Sequence, residues 1–150
     1  MPIRNTPIRL VLLPLGLIGL AWAGPAHAAE PLGDADRAAI RQVVEDQLAA
    51  IRRDDGAAAF GLASPFIQER FGTPDIFMSM VRTGYAAVYR PRQVEFREIA
   101  DDPELGLVQK VLLVGPDGSP VLAIYQMQKQ PDGRWRINGC ILTKSPDVGV

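Results

Sequence analysis

The chain has 150 residues, 47% of them hydrophobic, and its 16 basic and 17 acidic residues give a formal charge of −1. This length is typical of one domain, and a charge near zero lacks the basic excess of nucleic-acid-binding proteins. One cysteine and one histidine exclude a disulfide framework and a cysteine-rich metal site. We therefore expect no nucleic acid as a partner and no cofactor.

The N-terminal segment has the composition of an export signal. Two arginines precede an apolar run of 13 residues, and Ala26-His27-Ala28 then places small residues at the −3 and −1 positions of a cleavage site. The apolar run is shorter than the roughly 20 residues that a membrane-spanning helix needs. We predict a signal peptide over residues 1–28, export to the periplasm or the medium, and no membrane attachment after cleavage. The mature chain would then have no histidine.

The first predicted element after this segment is an amphipathic helix over Asp34–Asp54. Its apolar residues recur every three or four positions, which places them on one face of a helix. They are Ile40, Val43, Val44, Leu48 and Ile51. Asp34 is expected to cap the free N–H groups at the start, and Asp55 with Gly56 to end the helix.

A pair of short helices is predicted over Ala57–Gly72. Ser64 and Pro65 form a start signal for the second of them, because serine caps a helix and proline suits its first position. Gly72 is expected to end it, since glycine tolerates the backbone conformation that follows a helix.

If the short pair is counted as one element, a third helix is predicted to begin at Thr73-Pro74, which repeats the same start signal. Pro91 is expected to end it, because the residue before a proline disfavours helical backbone. This segment has more apolar residues than one helix face requires. Met78 or Val88 is therefore expected to lie in a contact with a second copy of the chain.

Beyond the third helix the apolar period changes from about 3.6 to 2, which is the period of a β-strand. Pro-Asp-Gly turn signals at residues 116–118 and 131–133 separate the apolar runs. Asn138-Gly139 can form a hairpin, but too few residues follow for another strand, so we place a bulge there. Alternation then puts Ile141 on the same face as Trp135.

These elements predict an α+β fold, with three N-terminal helices packed on a four-stranded antiparallel meander sheet. A sheet with one apolar face needs cover, and amphipathic helices that precede it can supply that cover. We expect one domain over residues 29–150, with its core at about 34–144.

Several stretches resemble one known family. The most specific is DDGAAAFGLASPFIQERFG followed by GYAAVYRPR, and QPDGRWRINGCILTKSP lies nearer the C-terminus. With the strands between them they resemble the DUF4864 family of small exported bacterial proteins, over about residues 38–144. The resemblance implies an NTF2-like (cystatin-like) cone with a pocket between sheet and helices. It implies no reaction, because that fold hosts both enzymes and binding modules.

The sequence offers no catalytic or metal-binding constellation that we can assign. There is no G-x-S-x-G motif, and a mature chain without histidine cannot build a Ser/His/Asp or Cys/His arrangement. Cys140 is expected to be a buried structural thiol or to form an intermolecular disulfide. The acidic run 101–104 matches no calcium loop, so we interpret it as a solvated turn.

The first candidate binding cluster lies where the third helix gives way to the first strand. Tyr85, Tyr89, Arg90 and Arg92 bring together forked guanidinium donors and aromatic hydroxyl groups, which suit a small anionic or aromatic ligand. The alternative is a rigid corner, with the tyrosine hydroxyls bonded locally and the arginines facing water or paired with Glu95.

The second candidate pair comes from the last two strands. Tyr125 follows the apolar phase of its strand, so it either fills the core or faces a pocket. Asn138 lies on the opposite phase and can line a polar part of that pocket.

The function most consistent with these patterns is a non-catalytic module that binds a small molecule or a protein. One alternative is a small NTF2-like lyase, isomerase or hydrolase that works without histidine. Another is a protein-interaction module that acts as a homodimer.

Overall fold

The structure of the chain, a computed structural model, describes residues 31–145; the predicted signal peptide lies outside the described residues. Five helical segments precede four strands. The helices are α1 (Asp34–Arg52), α2 (Gly56–Gly61), α3 (Pro65–Phe71), α4 (Pro74–Gly84) and α5 (Ala86–Tyr89). The strands are β1 (Gln93–Asp102), β2 (Gly106–Val114), β3 (Pro120–Lys129) and β4 (Trp135–Lys144). This confirms the predicted α+β order of helices followed by strands.

The start of α1 differs from the prediction. Gly33, with extended backbone, is the N-cap residue, and its carbonyl accepts the first helical hydrogen bond, from Arg37 N at 3.0 Å. The expectation that Asp34 caps the helix was therefore wrong. Asp34 and Asp36 lie in the first helical turn, where the helix dipole favours carboxylates.

The end of α1 was also wrongly assigned. Asp54, at φ 55°, adopts the left-handed backbone conformation, and Asp55 caps α2 by accepting a hydrogen bond from Ala58 N at 3.0 Å. Gly56 begins α2 and does not end α1. A Cβ atom at Gly56 would lie 2.9 Å from Met78 Cγ, so close packing explains the glycine.

The predicted pair of short helices is confirmed. Ser64 is fully buried and its hydroxyl accepts a hydrogen bond from Ile67 N at 3.3 Å at the start of α3. Gly72, at φ 77°, ends α3 in the conformation that glycine adopts without strain.

The third predicted helix is divided into α4 and α5. Thr73 caps α4 as expected, but helical backbone stops at Gly84, and Tyr85 (φ −132°, ψ 50°) separates the two segments. Met78 and Val88 are 2% and 4% exposed. Both pack inside the same chain, so the expectation that either lies in a contact between copies was wrong. The homodimer itself stays a prediction.

The four strands form one antiparallel sheet in the order β1-β2-β3-β4, which is the predicted meander. β4 is a single strand with the predicted bulge, because Gln126 pairs with Gly139 but Met127 pairs with Ile137. Asn138 is thus the additional residue, and it reverses the phase of the strand beyond it.

This reversal corrects one predicted orientation. Cys140 and Leu142 pack against the core, whereas Ile141 is 42% exposed. Ile141 therefore does not share the face of Trp135, since one additional residue exchanges the two faces of a strand.

The core lies between the helices and one face of the sheet. Its largest buried side chains come from α1, α4 and the three strands β2 to β4. They include Ile40, Val44, Ile51, Phe77, Met78, Val81, Leu113, Tyr125 and Met127. No helix within residues 31–145 is long and apolar enough to span a lipid bilayer.

Candidate functional site

A cavity of about 630 Å³ opens between the helices and strands β3 and β4. We call it the central cavity. Most of its lining is apolar, as in small-molecule sites in general. The lining residues that carry polar or ionisable side chains are Gln47, Arg70, Tyr85, Tyr125, Gln126, Asn138 and Cys140.

Tyr125 on β3 lines the central cavity and is 1% exposed. Its hydroxyl group forms no hydrogen bond of normal geometry among residues 31–145, and the polar group that acts on it is the Cys140 thiol, which is a weak hydrogen-bonding partner. Buried tyrosine hydroxyls usually find a partner, because an unsatisfied buried polar group destabilises the fold by about 1–3 kcal/mol. Burial also raises the pKa of Tyr125 well above its ordinary value of 10, so the phenol stays protonated.

Tyr85 lines the same cavity, but its hydroxyl group is satisfied. It donates a hydrogen bond to the main-chain oxygen of Cys140 at 3.0 Å, which ties the break between α4 and α5 to β4. Burial raises the pKa of Tyr85 and raises the pKa of the Cys140 thiol to about 12. The thiol is therefore protonated at neutral pH and is a poor nucleophile.

Three side-chain amides also belong to the polar part of the lining. Gln47 on α1 is 4% exposed and donates to Ala59 O at 3.2 Å. Asn138 Oδ1 accepts from Ser64 Oγ at 2.7 Å, so the bulge of β4 is bonded to the cap of α3. Gln126 lies against the bulge, where it pairs with Gly139.

Arg70, in the last turn of α3, is the one charged residue among the described residues that line the central cavity. Sequence reasoning missed it, because an exposed arginine near the C-terminus of a helix is an ordinary feature. Packing of α3 against β4 brings it into the lining of the same cavity as Tyr125 and Asn138.

Tyr89 and Arg90 lie outside the central cavity, in a cluster around Asp54. The Tyr89 hydroxyl donates to Asp54 Oδ1 at 2.7 Å, and Arg90 donates to Asp54 Oδ2 at 2.9 Å. Arg82 adds a third contact at 3.2 Å, and the Arg90 guanidinium lies 4.1 Å from the Tyr89 ring centre. The hydrogen bonds from Tyr89, then Arg82 and Arg90, lower the pKa of Asp54. This is the geometry of the rigid corner, with Asp54 and not Glu95 as the acidic partner.

Arg92 is exposed and also lies outside the central cavity. Its main-chain N–H donates to Val114 O at 2.7 Å, at the start of the β1–β2 pairing. Its charge contributes to the lowered pKa of Asp117, after the hydrogen bonds that Ser119 donates. Arg92 is thus placed beside the turn between β2 and β3.

The structure divides the six residues predicted to bind a ligand into two groups. Tyr85, Tyr125 and Asn138 line the central cavity, whereas Tyr89, Arg90 and Arg92 do not. A ligand-binding role for any of them stays a prediction.

The acidic run 101–104 covers the last two residues of β1 and the start of the turn that follows it. Asp102 Oδ1 accepts hydrogen bonds from the main-chain N–H groups of Glu104 and Leu105, each at 2.9 Å. Within residues 31–145, no group of three or more histidine, cysteine or acidic side chains is placed to hold a metal ion.

Comparison with known proteins gives one match. A model of the family described as "Domain of unknown function (DUF4864)" matches residues 33–150. No curated protein and no solved structure matches the chain. The NTF2-like cone that the resemblance implies therefore stays a prediction.

Proposed function

The chain belongs to DUF4864, a family of domains of unknown function, and on that premise we propose that it is a non-catalytic module that binds one small, mostly apolar molecule in the central cavity. The observation that carries this proposal is the hydroxyl group of Tyr125, which is buried at the wall of that cavity with only the weakly bonding Cys140 thiol to interact with. A ligand with one polar atom beside Tyr125 would satisfy it.

The volume and lining of the cavity support this proposal. Ligand pockets typically measure about 300–1,000 Å³ and are apolar with a few polar groups that orient the ligand. The central cavity, at about 630 Å³, lies within that range.

The ionisable groups of the lining support binding in preference to acid–base or nucleophilic catalysis. Tyr85, Tyr125 and Cys140 all have raised pKa values because they are buried, so each is neutral at pH 7. A general base or a nucleophile needs a pKa nearer the working pH.

We also propose that the protein is exported, to the periplasm or the medium, with residues 1–28 removed. The order of charged, apolar and small residues in that segment supports the proposal.

The test combines native mass spectrometry with a fluorescent probe. The protein is produced with its N-terminal segment and recovered after export, and its native mass is compared with its denatured mass. N-phenyl-1-naphthylamine, a neutral apolar probe with one N–H group, is then titrated into the delipidated protein. We expect an added mass in the native spectrum and saturable binding of the probe.

Two matched variants locate the probe. Tyr125→Phe removes the weakly bonded hydroxyl group and should weaken probe binding about fivefold, the loss of one hydrogen bond of about 1 kcal/mol. Tyr85→Phe removes a hydroxyl group that is already bonded to Cys140 O, so it should leave the affinity unchanged. Absence of both an added mass and saturable probe binding would contradict the proposed function.

A further inference from the structure

Arg70 is one of five arginines among residues 31–145 that form no ion pair, and the only one of the five that lines the central cavity. Six other described arginines form ion pairs with carboxylates, whereas Arg70 forms none within residues 31–145. The six are Arg41, Arg53, Arg82, Arg90, Arg97 and Arg134. Glu69, next to Arg70 in the sequence, does not line the central cavity.

Within residues 31–145, the lining of the central cavity has one positively charged side chain, Arg70, and no negatively charged one. The rest of the wall beside Arg70 is apolar and comes from the same helix and from α4, with Ile67, Phe71, Phe77 and Met80. A guanidinium group at an apolar wall favours a ligand that is itself part anionic and part apolar, because its fork of N–H donors matches a carboxylate.

We propose that the ligand is an amphipathic organic monoacid, whose carboxylate pairs with Arg70 while its apolar body fills the central cavity towards Tyr125. This inference rests on the proposed function and names the class of ligand for the same cavity. One guanidinium balances one negative charge, so a monoanion fits better than a phosphate dianion. A cation would meet like charge at Arg70, and a sugar would leave most of its hydroxyl groups against apolar side chains.

Two ligands that differ in the charged head test the proposal. Decanoate and 1-decanol have the same chain length, and each is titrated against protein that holds N-phenyl-1-naphthylamine. We expect decanoate to displace the probe at about one tenth of the 1-decanol concentration, as expected for a hydrogen-bonded charge pair. Raising the salt concentration should reduce this preference, because the pair is partly exposed.

Three variants assign the preference to Arg70. Arg70→Gln should remove the preference for decanoate, and a far-ultraviolet circular dichroism spectrum equal to that of the unmodified protein shows that the variant is folded. Arg70→Lys should retain most of the preference. Arg92→Gln is the control, because it removes the same charge from an exposed residue outside the central cavity and should keep the full preference.

The outcomes separate this inference from the proposed function. Equal displacement by decanoate and 1-decanol, or a preference that persists in Arg70→Gln, would overturn the monoacid while probe binding upholds the cavity as a ligand site. Failure of the probe to bind the unmodified protein would overturn both.

Discussion

Tyr85 and Tyr125 line the same cavity, but only the hydroxyl group of Tyr85 has a strong hydrogen-bond partner. Tyr85 donates to Cys140 O at 3.0 Å, whereas Tyr125 interacts among the described residues only with the weakly bonding Cys140 thiol. The alternation of β3 predicted that Tyr125 shares the buried phase of its strand. The alternation could not predict which groups the Tyr125 hydroxyl bonds to, because that depends on how β4 and α1 approach this hydroxyl group in space.

The two tyrosines should respond in opposite directions when their hydroxyl groups are removed. Tyr125→Phe should raise the free energy of unfolding of the unliganded protein by about 1 kcal/mol, because it removes a buried polar group that is only weakly bonded. Tyr85→Phe should lower it by about 1 kcal/mol, because it removes a hydrogen bond. Urea unfolding of delipidated protein measures both, and a loss of stability in Tyr125→Phe would show that its hydroxyl is strongly bonded in the free protein.

At the scale of elements, helix starts were predicted well where the signal is local. Ser64 and Thr73 each accept a hydrogen bond from the N–H group three residues later, as their position before a proline indicates. Asp34 failed as a cap because Gly33, one residue earlier, provides the first helical carbonyl. The break between α4 and α5 at Tyr85 has no local sequence signal as strong as the Ser-Pro and Thr-Pro starts. It accompanies the hydrogen bond from the Tyr85 hydroxyl to Cys140 O on β4, which is a contact between distant residues.

The two caps are a matched pair that differ in tertiary contact. Thr73→Ala should lower the free energy of unfolding by about 1 kcal/mol, the usual value for a lost cap. Ser64→Ala should lower it by about 2–3 kcal/mol, because Ser64 is also buried and bonded to Asn138 Oδ1 at 2.7 Å. Urea unfolding compares them, and equal losses would mean that the link from α3 to the bulge of β4 adds no stability.

At the scale of the whole molecule, several ion pairs connect distant parts of the chain. Asp36 on α1 accepts from Trp135 Nε1 at 2.8 Å and from Lys129 Nζ at 3.1 Å, on either side of the turn between β3 and β4. Asp54 joins the end of α1 to α4 and to the region after α5, through Arg82 and Arg90. These pairs are partly exposed, so each contributes modestly; the Asp36 contacts hold α1 against the sheet, and the Asp54 contacts hold the end of α1 against α4 and the segment after α5.

These contacts predict a loss of stability in acid. Hydrogen bonds, first from Trp135 and then from Lys129, lower the pKa of Asp36 below its ordinary value of 3.8. The folded protein therefore binds this proton less readily than the unfolded chain, and the stabilisation is present above pH 3.8 and is lost as the pH falls through the lower, folded value. The same direction holds for Asp54, Glu98, Asp102 and Asp117.

Urea unfolding between pH 7 and pH 2, followed by Trp135 emission, measures this dependence. Asp36→Asn should be less stable than the unmodified protein at pH 7, and the difference should disappear at the lowest pH. A difference that stays constant over the whole range would show that the charge of Asp36 does not stabilise the fold.

The α+β order, the four-stranded meander and the bulge at Asn138 could be predicted from the amino-acid sequence, because periodicity, caps and turn residues act between neighbours in the chain. Which side chains share the central cavity could not be predicted, because it depends on how the helices pack on the sheet. Arg70 and Tyr125 are 55 positions apart, and Asp54 lies 36 positions before Arg90. Such pairs form when helices pack on a sheet, and no local pattern records that packing.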